Sequence, residues 1–427
     1  MPFAVLAVVY LLFSLVMGSL SKVPMTTAFI AASAAALLMN RKASLTDKTE
    51  TFARGMGSQD IMIMCLVFIL AGTFTASAKA AGGVDAAVNI TLHLIPTEYL
   101  IAGLFGVSAL ISLAVGTSCG TIAAIVPIAA SLAQAVHADL PLAVGAAVGG
   151  AMFGDNLSII SDTTIAATRT QGASMRDKMI GNLKIVVIPA LACLVLYLLP
   201  AFSAGTIPPE LTPIGMDDIL KTMPYILLLV LGTLGVNVIV LLLAGTVLNT
   251  AIGISLDIVD GAAVLASLGQ GAISMAETLI VALLAGGLLA LTRFNGGIDF
   301  LLERAGHWVK GQRSCEAALC FLVGTINLFT ANNTVAIITA GPVAKEMAQC
   351  QHITPQRAAC LLDTTSCVVQ GMIPYGAQIL IAASLTASLG LSPIDIITGL
   401  FYPPLMALGL AASILLKRQT DTAPVVR

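Results

Sequence analysis

The chain has 427 residues, of which 58% are hydrophobic and 10% are charged, and its formal net charge is −2. A soluble globular domain carries about 25% charged residues, and the mean hydropathy here is +0.98, so the composition excludes a soluble domain of any size. No basic run suggests a nucleic acid partner. The scattered cysteines contain no CxxC pair, which argues against a disulfide framework or a zinc site.

Apolar segments long enough to cross a bilayer, about 20 residues each, follow one another along the chain. The first lacks a basic start and a small-residue cleavage site, so we interpret it as a membrane span and not as a cleaved signal peptide. The sequence therefore predicts an all-α polytopic membrane protein. The predicted segments are 2–20, 24–40, 59–80, 98–137, 142–167, 184–200, 219–234, 237–254, 272–292, 315–350, 356–382 and 393–416.

The second half of the chain repeats features of the first. Gly72 matches Gly286 at one spacing, and Asp155 matches Asp363 at a slightly shorter one. We predict two inverted repeats, each with about five transmembrane helices and one re-entrant hairpin, because an odd number of crossings inverts the second half. The predicted bounds are 1–200 for the first repeat, 201–222 for an extracytoplasmic linker, 223–427 for the second repeat, 98–137 and 315–350 for the hairpins, and 142–167 and 356–382 for the broken helices.

The basic residues support this topology. With the N-terminus inside, every strongly basic loop falls on the cytoplasmic side, as the positive-inside rule requires, and the acidic loop at 210–218 faces outward. Both termini are then cytoplasmic. The basic loops are 41–55, 168–184 (Arg169, Arg176, Lys178, Lys184), 293–313 (Arg293, Arg304, Lys310, Arg313) and the tail with Lys417 and Arg418.

Polar residues interrupt two apolar segments at their centres. Asp155 and Asp162 lie among glycines, serines and an asparagine within 142–167, and Asp363 precedes a Gly371–Gly376 stretch that contains a proline. An ionisable side chain in lipid usually marks an ion or substrate path, and an unwound helix is tolerated where backbone lines a cavity enclosed by protein. The alternative is a structural polar network that fixes the helix breaks. The supporting residues are Asn156, Ser158, Ser161, Thr163, Thr364, Ser366 and Gln370.

The two predicted hairpins turn at short polar strings. The first tip is Gly116–Thr121 and the second lies near Asn327–Thr334. Such tips present free N–H groups to anions, and carbonyl and side-chain oxygens to hard cations. A packing face of small residues is an equally good interpretation of the first tip, but it explains the second less well. The candidate tip residues are Thr117, Ser118, Thr121, Asn332, Asn333 and Thr334.

Clustered carboxylate, hydroxyl and amide oxygens are the ligands expected for Na⁺ or another hard cation. A carboxylate in a low dielectric can also have its pKa raised until it exchanges protons near neutrality. We therefore expect Asp155, Asp162 and Asp363 to bind Na⁺ or H⁺ alternately. Glu277 fits either a proton carrier or an interfacial side chain. No Walker A string and no nucleophile–base set is present, so neither an ATP-driven pump nor an enzyme is indicated, and no cofactor is expected.

The string from Phe153 to Thr164 resembles the motif of the NhaC-type sodium/proton antiporter family, although Ile159 stands where that family commonly has proline. Gly116–Thr121 is similar to the hairpin string of the family. The tip at Asn332–Thr334 looks like the tips of the wider ion transporter superfamily. The resemblance implies a scaffold with a moving transport domain, an elevator motion and a homodimer.

The inferred site holds three carboxylates and, on the sequence alone, no lysine or arginine near the membrane midplane. This pattern disfavours a dianionic substrate. It fits a cation that competes with a proton for the three aspartates, and it also fits a zwitterion. Together with the resemblance, which implies Na⁺/H⁺ antiport, we expect a secondary transporter of a bacterial cytoplasmic (inner) membrane, with Na⁺ and H⁺ as the transported ions. The alternative is a sodium- or proton-coupled carrier of an amino acid or similar zwitterion. A channel is a third class, but a repeat with closed hairpin tips argues against it.

Overall fold

The computed structural model describes residues 2–17, 25–40, 42–94, 96–159, 161–199, 212–233, 236–300, 309 and 311–416. Within these residues the chain is all-helical and contains no strand. Residues 201–211, half of the predicted linker 201–222, lie outside the described residues, as do Arg304, Lys310, Lys417 and Arg418.

The first half holds ten described helices, and most are apolar. They are α1 (Pro2–Met17), α2 (Met25–Leu38), α3 (Leu45–Met56), α4 (Gln59–Ala80), α5 (Gly83–Leu94), α6 (Leu100–Val115), α7 (Ser118–Ala135), α8 (Leu140–Leu157), α9 (Asp162–Gln171) and α10 (Met175–Leu198).

The described part of the second half also folds into helices. They are α11 (Met216–Thr233), α12 (Val238–Ser255), α13 (Gly261–Ser274), α14 (Ala276–Phe294), α15 (Gln312–Thr330), α16 (Asn333–Cys350), α17 (Pro355–Met372), α18 (Ala377–Leu385), α19 (Pro393–Gly399) and α20 (Tyr402–Leu415).

Seven helical runs in the described residues are long and apolar enough to cross a membrane, and the pair α19 and α20, bent by 56°, raises the number to eight. The prediction of an all-α polytopic membrane protein is therefore confirmed. Both α6 and α7 are among the seven. Length alone would let each arm of the first predicted hairpin cross the bilayer, so the re-entrant path stays a prediction.

Three helices, α3, α5 and α13, lie where the sequence predicted connections. α3 occupies the basic loop 41–55, and its buried Lys48 donates hydrogen bonds to the carbonyls of Leu37 and Met39 at 2.6 and 2.9 Å, which satisfies the open end of α2. α13 fills most of the stretch between the predicted segments 237–254 and 272–292. Its three glycines and two serines lower helix propensity and concealed it.

Glycines bring two pairs of helices into backbone contact. A Cβ added at Gly72 of α4 would collide with the carbonyl oxygen of Gly271 of α13, and one added at Gly271 would collide with that of Gly72. The carbonyls of Gly55 of α3 and Gly286 of α14 face each other's α-carbons in the same way. Only glycine permits this approach, so α3, α4, α13 and α14 are held together by close packing of small residues.

Helix bounds recur along the chain at a constant spacing that differs from the one predicted. α7 (Ser118–Ala135) and α16 (Asn333–Cys350) are separated in the sequence by the same spacing as α8 (Leu140–Leu157) and α17 (Pro355–Met372), at both ends. His137 and His352 are related by this spacing too, and both have positive φ, at 54° and 53°.

The shorter spacing predicted for this region, which paired Asp155 with Asp363, is therefore wrong. Asp155 lies near the end of α8, whereas Asp363 lies in the middle of α17, so the two residues do not correspond. The helix bounds instead align the end of α8 with the end of α17.

The glycine contact between α4 and α13 generates a stability prediction. We expect Gly271→Ala to lower the free energy of unfolding by about 1–3 kcal/mol, because the added methyl group overpacks a backbone contact. Gly269→Ala in the same helix is the matched control, since a Cβ there meets nothing within 4 Å. Thermal unfolding of both variants in detergent measures the difference. Equal melting temperatures would contradict the predicted contact.

Candidate functional site

Two helix breaks in the described residues, one in each half, lie beside the predicted site residues. α8 ends at Leu157, the backbone of Ser158 and Ser161 is extended, and α9 begins at Asp162. The hydroxyl of Thr164 donates to the carbonyl of Ser158 at 2.8 Å and so satisfies a backbone group that the break leaves open. The predicted break within 142–167 is confirmed by the end of α8 at Leu157 and the start of α9 at Asp162.

The second break separates α17 from α18. Ile373 is extended, and Pro374, which lacks a backbone N–H group, prevents the helix from continuing before α18 starts at Ala377. The predicted break at Gly371–Gly376 is therefore confirmed. An interrupted helix is tolerated at membrane depth where its backbone is enclosed by protein or lines a cavity.

Asp155 is buried at the end of α8 and is bound by two serines. Ser118 at the start of α7 donates to Oδ2 at 2.7 Å, and Ser161 in the first break donates to Oδ1 at 2.7 Å. Gln378 of α18 donates in turn to the Ser118 hydroxyl at 3.0 Å. The Asp155 carboxylate thus connects the start of α7, the first helix break and, through Ser118, α18. All of these hydrogen-bond donors are neutral.

Asp162 is the first residue of α9 and is exposed. Its Oδ1 accepts from the backbone N–H of Thr163 at 3.0 Å, and its Oδ2 accepts from the hydroxyl of Thr334 at 2.9 Å. The positive end of the α9 dipole favours a negative charge at this position. Thr334 belongs to the tip between α15 and α16, so both predicted tips supply a hydroxyl to one of these aspartates.

Asp155 and Asp162 line one cavity of about 360 Å³. One wall is polar and comes from the two tips, at the starts of α7 and α16, and from the residues beside the two helix breaks. The facing wall is apolar and comes from α4. The polar and small lining residues are Thr117, Ser118, Cys119, Asp155, Asp162, Thr163, Asn332, Asn333, Thr334, Gln370, Ala377 and Gln378, and the apolar ones are Ile63, Met64, Val67, Phe68, Val335 and Ile338.

Two glutamines add acceptor atoms to this cavity. Gln370 donates to the carbonyl of Ala331 at 2.8 Å and Gln378 donates to Ser118, so both amide N–H₂ groups are used. Within the described residues the Oε1 atoms of both side chains are buried and have no hydrogen-bond partner. Buried acceptors normally have partners, so these two oxygens are unsatisfied, as is Oδ1 of the buried Asp363.

Asp363 lies in a different environment. Its Oδ2 forms an ion pair with Lys178 Nζ at 2.5 Å and accepts from Asn156 and Asn182 at 2.9 Å each. Asp363 is fully buried and is not among the residues that line the cavity. The expectation that no lysine lies near the carboxylates is wrong, because Lys178 belongs to α10 and is fully buried.

A model of the Na⁺/H⁺ antiporter family matches residues 1–201 and 217–414. The chain belongs to this family. It is 26% identical over 378 residues to the Na⁺/H⁺ antiporter NhaC of Bacillus subtilis (strain 168), with 81% of each chain covered. It is 22% identical to the NhaC antiporter of Alkalihalophilus pseudofirmus, over 81% of this chain and 79% of that one. The predicted family resemblance is confirmed.

A shorter match links this antiporter-family chain to a relative with a different name. The malate-2H⁺/Na⁺-lactate antiporter of Bacillus subtilis is 34% identical over 113 residues, which cover 26% of this chain and 23% of that protein. The match is too short to transfer an organic substrate to this chain.

The remaining predicted site residues separate into two groups. Thr117, Asn332 and Asn333 line the cavity, and Asn332 also caps α16 by accepting from the N–H of Val335 at 3.0 Å. Glu277 belongs to neither group, because it lies in the first turn of α14 and accepts from Thr26 at 3.4 Å. The residues away from the cavity lining are Asn156, Ser158, Thr121, Thr364 and Ser366.

Sequence reasoning missed Lys178, Asn182 and Gln378 in this antiporter-family site. Lys178 and Asn182 lie four residues apart, on one face of a helix. Extension of the apolar segment 184–200 backwards through Asn182 to Lys178 would have shown a charge inside a membrane helix. Gln378 lies beyond the predicted break and carried no local signal, since a single glutamine in an apolar helix has many uses.

Proposed function

We propose that this membrane transporter of the Na⁺/H⁺ antiporter family exchanges Na⁺ for H⁺ at the cavity between α4 and the two broken helices. The observation that carries the proposal is that Asp155 and Asp162 line the same cavity, each held by hydroxyl groups and neither paired with a basic side chain of the described residues. The cavity lies in a bacterial cytoplasmic membrane, with both termini on the cytoplasmic side.

The chemistry of the exchange follows from these partners. Hydroxyl donors hold a carboxylate in place but do not neutralise it, so the two aspartates still need a cation. Na⁺ prefers oxygen ligands, and Asp155, Asp162, Thr334 and the unpartnered oxygens of Gln370 and Gln378 supply them. When Na⁺ leaves, protonation removes the charge that is costly in a low dielectric. The two cations therefore compete for the same groups.

Competition becomes coupled exchange when only an occupied site crosses the membrane. Movement of two uncompensated carboxylates past an apolar surface costs free energy. The cost is lower for the Na⁺-loaded or protonated cavity, because it carries less charge. The polar wall would move along α4 in an elevator motion, with the glycine-packed helices α3, α4, α13 and α14 as the fixed part. This motion alternates access without a change of ligands.

An inverted repeat in the two halves agrees with such a mechanism. In its support, α7, α8 and the start of α9 have counterparts in α16, α17 and the start of α18, all at the one spacing that the helix bounds define. The contact of α3 with α14 also mirrors that of α4 with α13, each through a pair of glycines. The homodimer stays a prediction from the family resemblance.

Asp162→Asn tests the assignment of the exchange site. We expect Na⁺-driven proton efflux from proteoliposomes, followed with a trapped pH dye, to fall by about tenfold or more, because the variant removes a charge that Na⁺ and H⁺ share. Asp257→Asn is the matched control. It makes the same chemical change at an exposed residue with φ of 52°, a conformation that asparagine accepts.

Two results would contradict the proposal. Wild-type activity in Asp162→Asn would remove this residue from the exchange site. No Na⁺-driven pH change in the wild-type protein, combined with Na⁺-dependent uptake of one amino acid from a panel, would favour the zwitterion carrier instead.

Thr334→Val tests the contribution of the second tip. Valine keeps the shape of threonine but loses the hydroxyl that binds Asp162, and a hydrogen bond to a charged group contributes about 1.5–3 kcal/mol. We expect the half-saturating Na⁺ concentration to rise by about tenfold or more, measured in the same proteoliposomes. Thr325→Val is the control, since that hydroxyl donates to the carbonyl of Phe321 and does not line the cavity. Equal effects of the two substitutions would exclude a specific role for Thr334.

A further inference from the structure

A second polar cluster, fully buried, lies away from the cavity and is centred on Lys178. Its Nζ contacts Asp363 Oδ2 at 2.5 Å, the carbonyl of Asn156 at 3.0 Å and the hydroxyl of Thr164 at 2.7 Å. An ammonium group has three hydrogens to donate, and all three have an acceptor here. The side chains of Lys178 and Asp363 are both 0% exposed.

The cluster joins the two halves of the chain. Asn156 and Thr164 lie on either side of the first helix break, Lys178 and Asn182 lie on α10, and Asp363 lies on α17. Asn182 strengthens the connection, because its amide donates to the carbonyl of Asn156 at 3.1 Å and to Asp363. The position of the break, and with it that of Asp155 next to Asn156, depends on this connection.

The charges within the cluster balance. Lys178 and Asp363 form one cation and one anion, and the other members are neutral. Another charged residue of α17, Arg357, is paired with Glu316 at 2.8 Å and adds no charge to the cluster. The backbone of Lys178 accepts from the thiol of Cys360 at 3.4 Å, which adds no charge. Removal of one member of a buried ion pair leaves an uncompensated charge, which costs far more than removal of both.

We propose that Lys178 is the permanent counter-ion of Asp363 and occupies the place that a transported cation would take there. Asp363 then takes no part in the exchange, and the pair acts as a positioning element for the first helix break. This inference rests on the proposed exchange of Na⁺ and H⁺ at Asp155 and Asp162. The three aspartates are chemically identical, and their partners give them different roles. Asp155 and Asp162 are held by hydroxyl groups at the cavity, whereas Asp363 is held by an ammonium group.

Paired substitutions test the proposal. In Lys178→Gln and in Asp363→Asn alone, a single buried charge remains, and we expect the half-saturating Na⁺ concentration to rise by about tenfold or more. In the double variant the cluster is neutral again, and we expect most of this loss to be recovered. The measurements are Na⁺-driven proton flux in proteoliposomes and the Na⁺-dependent rise in melting temperature of the purified protein in detergent.

Recovery in the double variant supports the proposal, because a ligand that has been removed is not restored by a second neutral substitution. A double variant that folds, but neither transports nor gains melting temperature with Na⁺, would overturn it. Lys178→Met with Asp363→Asn is a second neutral pair for the same comparison.

Asp155→Asn with Asp162→Asn provides a test that leaves the Lys178 cluster intact. Asp363 is then the last of the three carboxylates, and we expect no Na⁺-dependent rise in melting temperature, with choline chloride as the ionic-strength control. A Na⁺-specific rise in this variant would show that Asp363 binds the ion and would overturn the proposal. Absence of Na⁺-driven proton flux in the wild-type protein is a different result and would count against the proposed function instead.

Discussion

Hydrocarbon offers no hydrogen bonds, so every charged group inside the membrane depends on the partner that the protein supplies. The three central aspartates show how the choice of partner decides what a carboxylate can do. Asp155 and Asp162 accept from serine and threonine hydroxyls, which are neutral, so their charge stays uncompensated. Asp363 accepts from the ammonium group of Lys178, which already provides the opposite charge.

The two halves of the chain share their helix breaks but not their chemistry. At the spacing that the helix bounds define, Asp155 corresponds to Gln370 and Asp162 to Ala377. Acidic groups therefore line the cavity from the first half, and amide groups line it from the second. A site with two acids carries at most two negative charges, of which one Na⁺ leaves one and two protons leave none.

The sequence was sufficient for the features that have a local signal. Glycine, proline and acidic residues inside apolar runs located both helix breaks, and the polar strings at Thr117 and Asn332 located both tips between paired helices. The family followed from one of these strings. The cause of each helix break is local, since the proline within Gly371–Gly376 interrupts the helix in any surroundings.

Features that depend on distant partners were beyond the sequence. Lys178 was assigned to a basic loop because three other basic residues lie close to it in the chain, while its partner Asp363 is far away in sequence. The predicted pairing of Asp155 with Asp363 failed for a related reason: glycine and alanine are so frequent that a shifted alignment also finds matches. Only the helix bounds show that Asp155 and Asp363 lie at different positions in their helices.

The cavity has its polar and apolar groups on opposite walls. All oxygen atoms that line the cavity from side chains come from the helix turns and breaks, whereas α4 contributes Ile63, Met64, Val67 and Phe68. An ion bound there would have its side-chain ligands on the polar wall only, so the displacement of that wall along α4 that we propose would break no bond to the ion. α4 in turn packs against α13 by backbone contact at Gly72 and Gly271. An apolar face towards the cavity and close glycine packing against α13 suit α4 to the fixed part of the proposed elevator motion.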